Sequence, residues 1–247
     1  MLIPVLFATG AVAGMIDAIA GGGGLITVPV LLSLGLSPQH ALGTNKLQAS
    51  FGSTSAMAHF VQAGTVNLRQ ARAGIIWTAV GAVLGSYTVQ QIDPGFLKRC
   101  IPFLLILILC YTIFSPKLGA EEVRPRMSSG PFHALFGLLI GFYDGFLGPG
   151  TGSFWVIALM LGLGMDMRKG TGYTKVFNCV SNLVSLVVFV AGGHVLFWAG
   201  LVMGAGQAFG ARAGARLVIR KGTRFIRPVF ICSVLAVTAK LFYDGYR

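Results

Sequence analysis

Along this chain, long apolar stretches alternate with short breaks made of glycine, proline or a few charged residues. The apolar runs cover roughly 2–20, 25–36, 41–63, 73–90 and 96–114, then 132–147, 153–165, 172–191, 195–211 and 226–243. A helix needs about 20 residues to cross a bilayer, so 25–36 and 153–165 are too short to cross alone. Both short runs follow a carboxylate and a glycine-rich break. The first break is Asp17-Ala-Ile-Ala-Gly21-Gly22-Gly23-Gly24, and the second is Asp144-Gly-Phe-Leu-Gly148-Pro-Gly150-Thr151-Gly152-Ser153. The pattern predicts an all-helical chain whose helices are punctuated inside apolar sequence.

The two breaks belong to one unit written twice. Gly43-Thr-Asn-Lys46 aligns with Gly172-Tyr-Thr-Lys175, Gly81/Gly85 with Gly210/Gly214, and Phe96 with Phe225. The Lys, Gly and Phe pairs share one offset, since 175 − 46, 210 − 81 and 225 − 96 are each 129. For the aspartates the offset is 144 − 17 = 127, which places two inserted residues between break and lysine. The expected division is a first repeat over 1–114, a polar proline-containing cytoplasmic linker over 115–131 and a second repeat over 132–247.

Composition fixes the solvent. Hydrophobic residues make up 55% of the 247 and charged ones only 11%, against about 25% charged in soluble domains. The 35 glycines suit helices that approach closely in lipid. The net charge of +12 does not imply a nucleic-acid partner, because the basic residues lie between apolar runs, where they mark the cytoplasmic side. Cys100, Cys110, Cys179 and Cys232 sit in or beside apolar runs without metal spacing and read as small hydrophobes. The opening Met-Leu-Ile-Pro has no basic residue, so a cleaved leader is not expected.

Two topologies compete. Each short run either fuses with the run before it into one broken crossing, or folds back as a re-entrant hairpin. With hairpins, each repeat has three crossings and the second is inverted. If the N-terminus is outside, one side then collects Arg69, Arg72, Lys117, Arg124, Arg126, Arg168, Lys169, Arg212, Arg216, Arg220, Lys221, Arg224 and Arg227. The other collects Lys98, Arg99, Lys240 and Arg247, a split of 13 to 4. Four crossings per repeat would divide the same charges more evenly. The expectation is therefore an all-α polytopic membrane protein of two inverted repeats, each a re-entrant helical hairpin plus three transmembrane helices.

Irregular backbone at membrane depth survives only where protein or water satisfies it. The helices that begin after each break expose unpaired N–H groups and a positive dipole end, and two such ends from opposite sides form an anion site. Gly22, Gly23 and Gly24 with Gly150, Thr151, Gly152 and Ser153 are the candidate donors, although glycines also permit plain tight packing. Lys46 and Lys175 lie in apolar sequence, where charge is expensive and usually functional, or else snorkel to the interface. Lys175, Asn178, Asn182 and Ser185 share one helical face, as do Lys46, Ala49, Ser50 and Ser53. Asn45 joins them as a hydrogen-bonding candidate. Asp17 and Asp144 can pair with the lysines, cap local backbone or carry a coupling proton. No metal set, cofactor motif or nucleophile constellation emerges, so neither a cofactor nor enzymatic catalysis is expected.

Gly21-Gly-Gly-Gly-Leu-Ile-Thr-Val-Pro29, Ala41-Leu-Gly-Thr-Asn-Lys46 and Gly148-Pro-Gly-Thr-Gly-Ser-Phe154 resemble the TauE/SafE family of membrane transporters, often called sulfite exporters. The similarity covers nearly the whole chain. It implies carriage of sulfite, sulfonates or related small sulfur anions across a bacterial cytoplasmic membrane. The residues themselves lead to a secondary carrier of a small anion bound near the midplane, with one repeat rocking against the other. An anion channel of the same parts and an accessory subunit of a membrane complex are the rival readings. The expected partners are the small anion, the lipid bilayer and a second copy in a homo-oligomer.

Overall fold

The computed structural model describes residues 2–114 and 124–221; the apolar run at 226–243 and most of the linker's charges lie outside them. Among the described residues the protein is helical throughout: α1 Leu2–Ala20, α2 Gly24–Ser33, α3 Pro38–Gln62, α4 Arg72–Gln90, α5 Pro94–Phe114, α6 Ser129–Phe146, α7 Thr151–Leu163, α8 Met167–Ala191 and α9 Phe197–Lys221. Local chemistry moves several boundaries away from the apolar runs. Helix α3 starts at Pro38 because Ser37 caps it by accepting the His40 N–H, with proline at the first helical position, where its missing N–H costs nothing. Asp166 caps α8 in the same way through the Lys169 N–H, so the polar turn Met167–Thr171 is helical too. Helix α9 runs ten residues past its apolar stretch, since alanine and arginine are strong helix formers.

The short helices turn back on the ones before them. Leu31 of α2 shares a buried cluster with Leu6 of α1. The N–H groups of Arg126 and Met127, just before α6, donate to the Gly162 carbonyl near the end of α7 at 2.9 and 3.0 Å. The equivalent helices α3 and α8 run antiparallel. Thr44, near the start of α3, accepts the Leu196 N–H beyond α8 at 2.9 Å, while Tyr173, near the start of α8, reaches Gln70 beyond α3, also at 2.9 Å.

The two repeats interlock. Helix α4 of the first packs on α6 of the second, and α9 of the second packs on α1 of the first. A Cβ on Gly81 or Gly85 would strike the carbonyls of Leu138 and Phe142 on α6. At the positions related by the repeat, a Cβ on Gly210 or Gly214 would strike the carbonyls of Ala11 and Met15 on α1. Because α1 corresponds to α6 and α4 to α9, the same backbone-to-backbone contact is built twice.

The molecule is apolar outside and polar at its centre. Val187 and Phe209 are 69% and 71% exposed, with Ile76 and Leu139 also turned outward, while Lys46, Gln48, Lys175 and Gln207 are buried. Such a surface belongs against lipid. Leu2–Ile19, Arg72–Gln90 and Met167–Ala191 are each long and apolar enough to cross a membrane, and α2 and α7 are shorter apolar helices.

The glycine contacts make a direct forecast. Gly210→Ala and Gly85→Ala insert a methyl into backbone that cannot yield, and overpacking of this kind costs about 1–3 kcal/mol. The unfolding midpoint of purified protein should fall by roughly 2–12 °C. Gly130→Ala, where no atom lies within 4 Å of the new Cβ, should leave it unchanged. Equal midpoints for all three would mean that α4–α6 and α1–α9 are not in close contact.

Candidate functional site

Each glycine break builds a turn that ordinary residues could not follow. Gly21 has φ +72°, and Gly148 and Gly150 have φ +90° and +81°, in the left-handed region where a Cβ is penalised. In the second turn, the Thr151 hydroxyl donates to the Gly148 carbonyl at 2.6 Å and the Tyr143 hydroxyl to the Pro149 carbonyl at 2.5 Å. The turns of the two repeats meet. Any Cβ on Gly21 or Gly152 would collide with the other's backbone, and one on Gly24 would lie 3.1 Å from Pro149 Cα. Helices α2 and α7 therefore begin beside each other at the centre of the molecule.

Two ion pairs flank this contact, and both cross between repeats. Lys46 Nζ on α3 donates to Asp144 Oδ1 on α6 at 2.6 Å, to the Asp144 carbonyl, and to Asn182 Oδ1 at 3.4 Å. Lys175 Nζ on α8 donates to Asp17 Oδ2 on α1 at 3.2 Å and to the Asp17 carbonyl. Both lysines are 1% exposed. They neither snorkel to the interface nor present free charge, because each reaches a carboxylate of the other repeat. Both aspartates lie in the last turn of their helices, where carbonyls lack intrahelical partners and the dipole favours a cation. Asp144 Oδ2 also accepts from the Ser181 hydroxyl, and Asp17 Oδ1 accepts the Gly23 N–H at 3.3 Å. Asp17 thus both pairs with lysine and caps the turn. Removing one member of such a buried pair typically costs 3–5 kcal/mol, because the other charge is left uncompensated.

Between the tips lies a cavity of about 20 Å³, room for about one water molecule. Of the residues singled out in the sequence, Asp17, Gly24, Asn45, Asp144, Thr151, Gly152, Asn178 and Asn182 line it. Gly22, Gly23, Lys46, Gly150, Ser153 and Lys175 do not line it, and the two lysines connect to it through Asp144 and Asp17. The two polar stripes end differently. The Ser50 and Ser53 hydroxyls bond back to the carbonyls of Lys46 and Ala49, each at 2.8 Å, so they close on their own helix.

Gln207, Thr27 and Gln48 escaped the sequence reading. Gln207 of α9 lines the cavity, and its Oε1 is buried without a partner among the described residues, as is Oδ1 of Asn178. Thr27, Asn45 and Gln48 form a buried cluster, with Thr27 Oγ1 and Gln48 Nε2 donating to Asn45 Oδ1 at 2.6 and 2.7 Å. The available signal for Gln207 was its isolation as a polar residue within the apolar run 195–211. The histidines lie elsewhere: His40 and His194 face each other at 5.2 Å between ring centroids, and His133 hydrogen-bonds Ser129.

The family model described as Sulfite exporter TauE/SafE matches residues 6–241. The chain is 46% identical over 247 residues to a "Probable membrane transporter protein" of Haemophilus influenzae, covering 98% of this chain and 95% of the relative. It is 43% identical to "Probable membrane transporter protein YfcA" of Escherichia coli K12, covering 100% and 91%, and 24% identical to "Probable membrane transporter protein YunE" of Bacillus subtilis, covering 99% of both. No solved structure matches. A helical, lipid-facing chain with paired glycine turns around a buried polar centre, matched along nearly its full length, belongs to the sulfite exporter TauE/SafE family of membrane transporters.

Proposed function

We propose that this chain is a secondary transporter of a small anion, of the sulfite, organosulfonate or related sulfur-oxyanion class, in the bacterial cytoplasmic membrane. The observation that carries the reading is the meeting of two glycine turns, one from each repeat, at a polar cavity between two buried ion pairs. The N–H groups of Gly22, Gly24, Gly150 and Gly152 and the amides of Asn45, Asn178 and Asn182 would supply donors, while Lys46 and Lys175 hold positive charge nearby. The N–H groups of Gly23, Thr151 and Ser153 already donate to Asp17 Oδ1 and to the carbonyls of Gly148 and Gly150, and would have to be freed. A cavity of about 20 Å³ would admit an anion larger than water only when the tips part. The interlocked helices suggest which bodies move. The α1–α9 and α4–α6 pairs would rock about the crossing of α3 and α8, rather than one sequence repeat against the other.

The same reading sets the topology as inverted repeats with re-entrant hairpins. It is supported by the antiparallel α3 and α8 and by the fold-back of α7 towards the start of α6. Charge placement agrees with it. Arg69 and Arg72 follow α3, Arg212 and Arg216 lie within electrostatic reach of His59 near the α3 end, and Arg126 is tied by its N–H to the α7 end.

Two experiments test these statements. In a cysteine-free variant, Ile3→Cys and Leu34→Cys should be labelled only from outside, and Ser128→Cys and Arg168→Cys only from the cytoplasm. Labelling of Ser128→Cys and Arg168→Cys from opposite faces would exclude the hairpin. For transport, purified protein in liposomes should show saturable counterflow of radiolabelled sulfite or a sulfonate. Gly152→Leu, which forces the tips apart, should reduce it at least about tenfold, the equivalent of about 1.4 kcal/mol, while Gly130→Ala should not. Non-saturating flux would favour the channel, and absence of flux with every sulfur anion would overturn the cargo class.

A further inference from the structure

The wall of the cavity contains two carboxylates, Asp17 and Asp144, each matched by one ammonium. The site's charges therefore sum to zero before any anion arrives. An anion entering this interior would leave a net negative charge in a poorly solvated place, which is expensive unless something neutralises it. One of the two ion pairs is built to yield. Asp144 is held at 2.6 Å by Lys46, takes a second hydrogen bond from Ser181, and has a side chain only 4% exposed. Asp17 is held at 3.2 Å by Lys175, and its side chain is 17% exposed. Among the described residues, its other oxygen accepts the Gly23 N–H at 3.3 Å.

The difference is written in the sequence. The position equivalent to Ser181 in the first repeat is Gly52, since 181 − 129 = 52, and glycine offers Asp17 no hydroxyl. The room at Gly52 is taken by Gln207, whose Nε2 would lie 2.7 Å from a Cβ there. The position equivalent to Asn182 is Ser53, whose hydroxyl bonds back to its own helix instead of supporting Lys175.

We infer that Asp17 is the proton-coupling carboxylate of this transporter, and that its protonation releases Lys175 to hold the anion, so that one proton travels with each anion. The inference rests on the anion-carrier reading above. The proton enters on Asp17 Oδ2 and forms an O–H bond there. The Lys175 N–H that pointed at Oδ2 turns to an oxygen of the anion. The Asp17 carbonyl, which accepts a second Lys175 N–H, keeps the ammonium beside the cavity throughout. On the far side the anion leaves, the proton returns to water and the Lys175–Asp17 pair re-forms. The groups facing Asp17 are consistent with this role. Lys175 comes from α8 and the Gly23 N–H from the turn before α2. Across the cavity stand Asp144, already matched by Lys46, and the neutral Asn45, Asn178, Asn182 and Gln207.

The test uses the full chain in liposomes with methanesulfonate, a permanent monoanion, so that the cargo itself takes up no proton. Counterflow is measured first, without a pH gradient. A pH gradient, alkaline inside, is then imposed with the membrane potential clamped at zero. One proton per anion should drive accumulation of up to about tenfold per pH unit. Asp17→Asn should lose this accumulation at whatever exchange rate it retains, whereas Asp17→Glu should keep it. Exchange by the unaltered protein without accumulation would overturn the coupling while leaving the carrier reading intact. Persistent accumulation in Asp17→Asn would place the proton elsewhere and equally overturn the inference. Absence of methanesulfonate exchange would count against sulfonate carriage and remove the inference with it. Should Asp17→Asn not fold, accumulation by the unaltered protein and by Asp17→Glu still decides.

Discussion

The structure depends on a constraint that lipid imposes on charge. An ammonium placed in the middle of an apolar bundle must find a carboxylate, and the search is satisfied here only across the repeat boundary. Lys46 of α3 pairs with Asp144 of α6, and Lys175 of α8 with Asp17 of α1. Each pair ties a central helix to the helix that leads into the opposite glycine turn. Once both are made, the turns are drawn together, because Asp17 and Asp144 stand only a few residues before Gly21 and Gly148. The cavity between the tips is therefore a consequence of pairing two charges at helix ends where carbonyls are also free to accept.

Charge pairing alone would leave the helices too far apart. Close approach comes from small residues placed at matching positions, with α4 against α6 and α1 against α9. Carbonyls of one helix there sit where a side chain of the other would have stood. In a membrane the hydrophobic effect gives little reason for one apolar helix to prefer another, so such backbone contact supplies much of the specificity. Both devices join elements of different repeats. The repeat is thus a unit of sequence and not a unit of packing.

Much of this was legible in the residues, and the remainder was hidden for identifiable reasons. The apolar periodicity located the helices, and the constant offset located the equivalent lysines and glycines. The depth of Lys46 and Lys175 in apolar sequence marked them as costly charges. The crossing of the ion pairs was not legible. Offsets show that Lys46 corresponds to Lys175, but pairing within a repeat and pairing between repeats obey the same symmetry. The starts of α3 and α8 were set too late because an apolar run reports burial, whereas a helix begins at its cap, Ser37 or Asp166. Gln207 went unnoticed because a single amide in an apolar helix carries no periodicity, and its equivalent, Thr78, is chemically different.

Duplication gives the two halves one backbone plan but does not oblige them to bind alike. At the centre, side chains have diverged at the positions that touch the charges. Gln48 of the Thr27–Asn45 cluster corresponds to Phe177, and Gly52 beside Gln207 corresponds to Ser181. The first difference gives the α2 side an amide–hydroxyl cluster and the α7 side an aromatic packed on Trp155, with ring centroids 4.5 Å apart. The second gives one aspartate a hydroxyl, whereas the partners of the other among the described residues are Lys175 and the Gly23 N–H. The two ion pairs therefore differ in burial and in hydrogen bonding although they occupy equivalent places: Asp144 is the more buried and takes the Ser181 hydroxyl, Asp17 the more exposed and takes the Gly23 N–H.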